Sequence, residues 1–400
     1  MDLMHLDNFI CILYLGRYEH ELIGTIVEEV SKRINRSPLH VANYPIGLKS
    51  RVQDVNSLLD VGSNGGVSMV GIYGIGGIGK TAIACAVYNV IADQFEGQCF
   101  LGDIRQKSMK YDLVQLQEII LSEMVGEKSI KLGSINRGMS VLKSKLQRKK
   151  VLLILDDVDK LEQLKALAGD LSWFGDGSKI IVTTRNRHFL RVHGVERTYE
   201  AKGLDDKEAL ELFSWHAFKS NEVGPGYLDI SKRAVFYSNG LPLALEIIGS
   251  NLNGITMSEW EAALDTIERI PDEDIQEKLK VSYDGLKGNE KDVFLDIACF
   301  LRGYHLKDVI SLLLQSRGFS PEYVIRMLVD KSLIKIDQYG FVLMHNLVED
   351  MGREIVRQES PSEPGKRSRL WFYEDIVDVL ENDKVRVLLC FSFCTCTKLF

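Results

Sequence analysis

Residues 67–81 constrain the fold of this chain more than any other part of the sequence. An apolar, strand-like run is followed without a gap by the pattern G-x-x-x-x-G-K-T at residues 74–81. Residues 82–95 then have the apolar spacing of a helix. Strand, glycine-rich loop and helix, in this order, are what a triphosphate-binding loop requires. The sequence therefore predicts a P-loop domain with a parallel sheet.

Each part of this motif has a chemical task. Glycines such as Gly74 and Gly79 let the backbone point several amide N–H groups into one concavity, and the start of the next helix adds partial positive charge. Lys80 would reach the β- and γ-phosphates, and the Thr81 hydroxyl would ligate Mg²⁺. A glycine-rich turn without chemical meaning is the alternative, but both flanks fit the loop. We expect a bound nucleotide and Mg²⁺.

Length and composition limit the class of protein. A chain of 400 residues, 45% hydrophobic and 26% charged, suggests two or three globular domains. The net charge of −7 gives no general attraction to nucleic acid or to an anionic membrane. Seven scattered cysteines without a Cys-x-x-Cys pair favour a reducing compartment. The apolar runs at 9–15 and 387–397 are too short to span a bilayer, so we expect a cytoplasmic protein.

Strands and helices alternate from residue 67 to about residue 200. Helical segments separate five strand candidates, which are 67–73, 98–104, 150–155, 179–183 and 197–201. Strands joined through helices of this length form a parallel, doubly wound sheet. A nucleotide would lie at the C-terminal ends of these strands.

The rest of the chain is mainly helical. From about residue 289, helices precede two short strand-like runs at 333–336 and 341–344, a pattern typical of a winged helix. The predicted fold class is α/β, with a P-loop parallel sheet domain followed by a helical domain and a winged-helix domain. The predicted units are 1–45 (an N-terminal helix at 17–36 and a linker), 46–203 (P-loop domain), 204–287 (helical), 288–360 (winged helix) and 361–400 (linker and unplaced tail).

The apolar run at 151–155 ends in two carboxylates, Asp156 and Asp157. A continuous apolar run fits a strand that is covered on both faces, and an acid at its C-terminal end would project into the phosphate crevice. Asp156 is the natural partner of Mg²⁺, directly or through water. Asp157 is the candidate catalytic residue, which could position or deprotonate an attacking water. Aspartate also commonly opens a turn, and this is the alternative.

Three further residues are ambiguous from spacing alone. Arg185 follows the strand candidate 179–183 and could sense the γ-phosphate, or it could simply be an exposed residue leaving a strand. Pro242 could cover the base or sugar of the nucleotide, or it could only begin a helix. His345 leaves the second strand of the predicted hairpin, where an isolated histidine is more often structural.

Seven segments of the chain, taken together, resemble one protein family. They are GIGGIGKT, FEGQCFLGDIRQKS, VLLILDDVD, GSKIIVTTRNRH, GLPLAL, LKVSYDGLKGNEKDVFLDIACFLRG and MHNLVEDMGREIV. Their order resembles plant intracellular immune receptors of the nucleotide-binding, leucine-rich-repeat type. Asp157 after Asp156, and the LDIACF segment, resemble the branch with an N-terminal Toll/interleukin-receptor domain. The resemblance implies an NB-ARC switch that holds ADP between three domains and opens and oligomerises when ATP replaces ADP.

The resemblance also implies roles for individual residues. Ile46 and Gly47 match the family's loop beside adenine. Arg185 matches its γ-phosphate sensor, and Pro242 matches its base-contacting lid. His345 aligns with the histidine that the winged-helix domain presents to the β-phosphate of ADP. The residues implied around the phosphates are Gly76, Gly77, Gly79, Lys80, Thr81 and Ala82.

The chain departs from the family pattern in three places. Asn346 follows Met344 and His345 where the family has aspartate. An amide keeps hydrogen bonds but loses charge, so we expect at most a modest weakening of the closed state. The NAD-hydrolysing signalling domain and the C-terminal repeats of the family are not found, and residues 387–400 match nothing. We expect a truncated gene product or a misannotated reading frame.

The leading hypothesis is a nucleotide switch in plant defence signalling. Its expected partners are the nucleotide, further copies of itself or full-length related receptors, and an unknown pathogen-derived or guarded host protein. The alternatives are an ATPase, expected to turn over slowly, a truncated adaptor that does not switch, and a nucleotide-regulated DNA binder. The acidic net charge counts against DNA binding. We expect the cytoplasm as the location, with the nucleus as a second one.

Overall fold

A computed structural model describes residues 38–60, 65–126 and 130–381. The amphipathic helix predicted at 17–36 and the unplaced tail at 387–400 lie outside the described residues. Among the helices that are described, none is long and apolar enough to cross a membrane.

One parallel sheet forms the centre of the N-terminal half. Its strands pair in the order β2-β3-β4-β1-β5, which confirms the predicted fold class. Because all five strands run in the same direction, their C-terminal ends meet at one edge, and the phosphate loop leaves β1 there. The strands are β1 (Ser68–Tyr73), β2 (Gly97–Leu101), β3 (Val151–Val158), β4 (Lys179–Thr184) and β5 (Arg197–Glu200).

Two strand boundaries of the parallel sheet differ from the prediction by three residues, and the others differ by at most one. The candidate at 98–104 ends at Leu101, because Asp103 takes a left-handed backbone conformation (φ 53°) and α3 begins directly after it. β3 extends beyond its apolar run to Val158, so both carboxylates belong to the strand. The helices around the sheet are α1 (Leu48–Leu59), α2 (Lys80–Ile91), α3 (Ile104–Lys110), α4 (Leu113–Val125), α5 (Ile135–Leu146), α6 (Leu161–Ala168) and α7 (Arg187–Val192).

Five helices follow the sheet. The first begins in a capping box, in which the Asp205 carboxylate accepts from the backbone N–H of Glu208 and the Glu208 side chain accepts from that of Asp205. The third begins with Pro242, whose fixed φ suits a first helical turn. These helices are α8 (Asp206–Phe218), α9 (Leu228–Ser238), α10 (Pro242–Leu252), α11 (Met257–Arg269) and α12 (Glu273–Asp284).

The C-terminal part combines helices with a small antiparallel hairpin, as predicted for a winged helix. The hairpin is shorter than the predicted runs, since only Lys335–Ile336 (β6) and Val342–Leu343 (β7) pair. The helices are α13 (Gly288–Asp296), which continues into a π-turn at Ile297–Leu301, α14 (Leu306–Arg317), α15 (Glu322–Asp330), α16 (Asn346–Glu359) and α17 (Tyr373–Glu381). The exact domain boundaries stay predictions.

The sheet separates two apolar cores. Side chains alternate along β3, so Leu152 and Ile154 face one core while Leu153 and Leu155 face the other. The first core contains α1 and α2 and continues into the helical and winged-helix parts. The second lies between the sheet and α4 to α6. The continuous burial of β3 on both faces fits the interpretation of its apolar run.

Gly71 shows how closely α7 packs on the sheet. A Cβ atom at this position would lie 2.7 Å from Leu190 Cδ2, and Leu190 is fully buried. We therefore expect Gly71→Ala to lower the free energy of unfolding by about 1–3 kcal/mol through overpacking, as measured by urea denaturation. Gly133→Ala is the matched control, because Gly133 is exposed and a Cβ there meets no atom within 4 Å. Equal losses in the two variants would contradict the packing argument.

Candidate nucleotide-binding site

A cavity of about 480 Å³ opens at the C-terminal edge of the sheet. Its volume lies within the range of about 300–1,000 Å³ that is usual for small-molecule sites. The phosphate loop, the ends of β3 and β4, the segment before α1 and the helical part all contribute to its walls. The predicted site residues that line it are Ile46, Gly77, Gly79, Lys80, Thr81, Ala82, Asp157, Arg185 and Pro242.

The phosphate loop folds around the ammonium group of Lys80. Gly77 and Gly79 have φ angles of 78° and 92°, a left-handed conformation that glycine adopts at low cost. Lys80 Nζ donates to the carbonyl oxygens of Gly74 (3.0 Å) and Ile75 (2.8 Å). The side chain is buried, and this burial lowers the pKa of Lys80 to about 7. The charge of Lys80 is therefore sensitive to any anion that enters the loop.

Thr81 and Asp156 meet next to the start of α2. Thr81 Oγ1 donates to Asp156 Oδ1 at 2.9 Å, and Thr183 Oγ1 donates to the same oxygen at 2.7 Å. Asp156 is only 1% exposed, and burial raises its pKa although both hydrogen bonds oppose the shift. A hydroxyl and a carboxylate are oxygen donors of the kind that Mg²⁺ prefers. The donor set fits the predicted metal site.

The rest of a metal shell would come from outside the protein side chains. Among residues 38–60, 65–126 and 130–381, no group of three or more His, Cys, Asp or Glu side chains is placed to hold a metal ion. Mg²⁺ commonly takes one or two protein carboxylates and completes its octahedral shell with phosphate oxygens and water. Thr81 and Asp156 would supply the protein ligands of such a shell.

Asp157 lies between two guanidinium groups. Its Oδ2 accepts from Arg105 Nε at 2.8 Å, and its Oδ1 lies 3.7 Å from Arg185 Nε. Arg185 Nη1 also donates to the carbonyl oxygen of Lys278 on α12 at 2.6 Å. Burial lowers the pKa of Arg185, although the carboxylate beside it acts in the opposite direction. Two arginines thus face the cavity where phosphate charge would collect.

Part of the cavity wall is aromatic and apolar. The Tyr44 ring stacks on Trp215 (centroids 4.9 Å apart, 17° between planes) and meets the edge of His216 at 5.0 Å. Ile46 and Pro242 also line the cavity, and Pro242 lies beside the phosphate loop, since a Cβ atom at Gly79 would be 4.0 Å from Pro242 Cγ. A planar base fits such walls better than a charged group does.

Gly47 lies beside the cavity rather than on its lining. Its φ angle is 70°, and a Cβ atom there would lie 2.8 Å from the Glu208 carboxyl carbon. Glu208 pairs with Arg51 through Nη2 at 2.9 Å, and the same nitrogen donates to the Gly203 carbonyl oxygen at 2.9 Å. This ion pair joins α1 to the start of α8, and only glycine leaves room for it.

His345 lies outside the main cavity, on a second one of about 330 Å³ that also touches Gly74. Its Nε2 donates to the Asn239 carbonyl oxygen at 3.2 Å, and its Nδ1 accepts from the backbone N–H of Leu347 at 3.3 Å. Burial lowers the pKa of His345 to about 4, so the ring is neutral at physiological pH. A contact with a β-phosphate stays a prediction.

Residues 49–223 match the model of the NB-ARC domain. Residues 49–223 are therefore an NB-ARC domain. Residues 287–360 match a second model, the winged-helix domain of Roq1-like disease resistance proteins. The match covers the hairpin and His345, which confirms the predicted winged-helix part.

The relatives of this NB-ARC chain are plant disease resistance proteins. It is 39% identical over 370 residues to TMV resistance protein N of Nicotiana glutinosa, covering 91% of this chain and 32% of that protein. It is 42% identical over 355 residues to disease resistance protein RUN1 of Vitis rotundifolia, covering 88% of this chain and 26% of that protein. The resemblance to this group is confirmed, and the chain spans about a quarter to a third of these relatives' length.

A solved structure supports the fold of the NB-ARC chain alone. The Walker-type ATPase paby2304 of Pyrococcus abyssi has a TM-score of 0.51 with 14% identity, and the match covers 77% of this chain and 96% of that one. An identity this low carries no information about ligand or activity.

The unusual Asn346 of this NB-ARC chain has a definite partner. Its Oδ1 accepts from Arg302 Nη2 at 2.6 Å, and the same guanidinium forms an ion pair with Glu349. Asn346 is also the first residue of α16, directly after His345. The amide therefore keeps a hydrogen bond in which an aspartate would add charge.

Several residues at the site are not marked by any pattern in the sequence. Arg105 and His216 line the cavity, but no spacing marks them because each reaches the site through the packing of its helix. Arg51 also lines the cavity, and again no spacing in the sequence marks it. Tyr44 was detectable, since an aromatic residue lies two positions before Ile46 in the loop that the family resemblance places beside adenine.

Proposed function

We propose that this chain is the ADP/ATP-binding switch of an intracellular plant immune receptor acting in defence signalling. The observation that carries the proposal is the composition of one cavity. One cavity is lined by the phosphate loop, by Arg185 at the end of β4 and by Pro242 of the helical part. A ligand that touches several parts of a protein at once can change how they are arranged, provided that it prefers one arrangement.

The phosphate end would hold the nucleotide in either state. Lys80 and the amides of the loop offer donors to phosphate oxygens, and Thr81 with Asp156 offers oxygens to Mg²⁺. Mg²⁺ bound there would neutralise phosphate charge. These contacts serve ADP and ATP alike, so they supply affinity without switching.

Arg185 offers a means of telling ATP from ADP. Its Nη1 donates to the Lys278 carbonyl oxygen on α12 at 2.6 Å. A γ-phosphate would compete for this guanidinium, because an anionic oxygen accepts a stronger hydrogen bond than a neutral carbonyl does. ATP would therefore release α12 from the strand end, whereas ADP would leave this bond in place.

The winged-helix part would stabilise the ADP state. His345 Nε2 donates to the carbonyl oxygen of Asn239. Asn239 lies three residues before Pro242, which begins α10. His345 therefore acts on the segment that covers the base, in addition to the β-phosphate contact that family resemblance implies. Opening would break this bond and free surfaces for association with further copies or with related receptors.

A slow ATPase is the second candidate function. Asp157 could in principle activate water, but its carboxylate already pairs with Arg105 at 2.8 Å. The Oδ2 atom is therefore occupied by this hydrogen bond instead of facing a water molecule. We propose turnover below about 1 s⁻¹, the low end for enzymes. The cytoplasm is the proposed location, with the nucleus as a second one. A pathogen-derived or guarded host protein is the proposed trigger, and a non-switching adaptor is the remaining alternative.

The decisive experiment identifies the nucleotide that co-purifies with the chain, by denaturation and chromatography. We expect ADP, and we expect it to be lost in Lys80→Arg but kept in Lys110→Arg, an exposed residue of α3. A chain without bound nucleotide that also fails to bind added ADP would overturn the proposal. Equal affinity for ADP and ATP, with an unchanged hydrodynamic radius, would favour the adaptor.

The Asn346→Asp variant tests the closing contact. We expect ADP release to slow by about two- to fivefold, because Arg302 would gain a charged partner at a half-exposed site, where such a pair contributes less than about 1 kcal/mol. The dissociation rate of a fluorescent ADP analogue measures this. Asn136→Asp, exposed on α5, is the control. Unchanged release in Asn346→Asp would show that this position does not affect the closed state.

A further inference from the structure

His216 is a buried imidazole with one hydrogen-bonding nitrogen left over. It lies on α8, is 6% exposed and lines the main cavity. Its Nδ1 and the Ser250 hydroxyl are 3.2 Å apart and form a hydrogen bond. Within the described residues no hydrogen-bond partner is found for Nε2. This nitrogen is not sealed from solvent, and His216 lines the cavity, so a ligand in the cavity could supply the partner of Nε2.

The position of this ring is fixed by its neighbours. The edge of the imidazole meets Tyr44 at 5.0 Å, with an angle of 87° between the ring planes. On the other side, a Cβ atom at Gly249 would lie 2.8 Å from His216 Cβ, so α10 approaches as closely as glycine permits. A side chain held by a ring contact, a hydrogen bond and a helix is preorganised, which lowers the entropy lost on binding a ligand.

The chemistry around His216 suits a heteroaromatic base. Tyr44, Ile46 and Pro242 line the cavity without offering phosphate-binding groups, so a nucleotide held by the phosphate loop would place its base among them. Burial lowers the pKa of His216, which keeps the ring neutral, and a neutral imidazole has one donor and one acceptor nitrogen. Adenine and guanine present different donor and acceptor groups on their edges.

We propose that His216 reads the base: its imidazole hydrogen-bonds the purine of the bound nucleotide and sets the preference for adenine over guanine. This inference rests on the proposed nucleotide-binding function and adds a specificity-determining residue to it. Ser250 is then a positioning residue, because its hydroxyl engages Nδ1 and leaves Nε2 for the base.

The test compares ADP, GDP and inorganic tripolyphosphate by calorimetry on the whole chain. In His216→Phe, which keeps a ring against Tyr44, we expect ADP to bind about tenfold more weakly, the loss of one hydrogen bond. The ratio of ADP to GDP affinity should fall towards one, and tripolyphosphate should bind as before. Ser250→Ala, at an exposed position, should weaken ADP about two- to threefold without changing tripolyphosphate binding.

Two results would overturn the inference. An unchanged ADP to GDP ratio in His216→Phe would show that the imidazole does not contact the base. Equal losses for all three ligands would show that His216 only supports the local structure. If His216→Phe fails to fold, the ratio of ADP to GDP affinity is measured in Ser250→Ala instead, and an unchanged ratio there would overturn the inference. Absence of ADP binding in the unsubstituted chain would instead overturn the proposed function itself.

Discussion

Replacement of Lys80 by methionine is expected to weaken ADP binding by about 100-fold. Methionine keeps the unbranched stem but removes the ammonium group, and a hydrogen bond to a charged phosphate oxygen is worth about 1.5–3 kcal/mol, where 1.4 kcal/mol is tenfold in affinity. Lys80 is 8% exposed and points into its own loop. Calorimetric titration with ADP measures the loss. Lys110→Met is the matched control, and similar weakening in both variants would contradict the role.

The same lysine should make ADP affinity depend on pH. Burial lowers the pKa of Lys80 to about 7 in the structure, whereas a phosphate partner favours the charged ammonium and raises the pKa. Binding therefore takes up a proton at any pH between these two values. The affinity of the unsubstituted chain should fall as pH rises above 7, by at most tenfold per unit.

Titrations between pH 7.5 and 9 test this dependence, because the second ionisation of a phosphate, near pH 6, is complete there. Repeating them in buffers of different ionisation enthalpy counts the protons taken up. The slope should disappear in Lys80→Met. An affinity that stays constant over this range in the unsubstituted chain would show that Lys80 is fully charged before the nucleotide arrives.

The outcome for this chain shows which kinds of feature a sequence predicts well. The phosphate loop is a local pattern, since strand, glycines, Lys80 and helix lie within one continuous segment. The apolar run of β3 is equally local, and it leads into Asp156 near the C-terminal end of the strand. Such features follow from hydrophobic periodicity and from the few conformations that glycine permits.

The ion pairs around the site follow from packing instead. Arg105 and Asp157 are 52 residues apart in sequence, and Arg51 and Glu208 are 157 residues apart. No local pattern decides which helix end meets which strand end, because that choice depends on the shape of both apolar faces. Asp157 illustrates the result. Its position was predicted, while its engagement with Arg105 is visible only in the folded chain.

One such pair joins the sheet domain to the winged helix. Arg191 of α7 and Asp330 of α15 meet with Nη2 and Oδ2 2.8 Å apart and with Nη1 and Oδ1 3.3 Å apart. The Asp330 side chain is 6% exposed, while that of Arg191 is 54% exposed. The two partners are therefore not equivalent. Loss of the arginine leaves the buried Asp330 carboxylate without its partner, whereas loss of the carboxylate leaves an arginine that water can reach.

Arg191→Ala is therefore expected to destabilise the chain by about 3 kcal/mol, the cost of an uncompensated buried charge, measured by urea denaturation. Asp330→Asn should cost at most about 1 kcal/mol, because the exposed arginine is resolvated. Adding Arg191→Ala to Asp330→Asn should then cost little more. Because the pair joins the parts that the proposed switch separates, Arg191→Ala should also speed ADP release. If the two single losses simply add in the double variant, the pair is not coupled and does not hold the winged helix against the sheet.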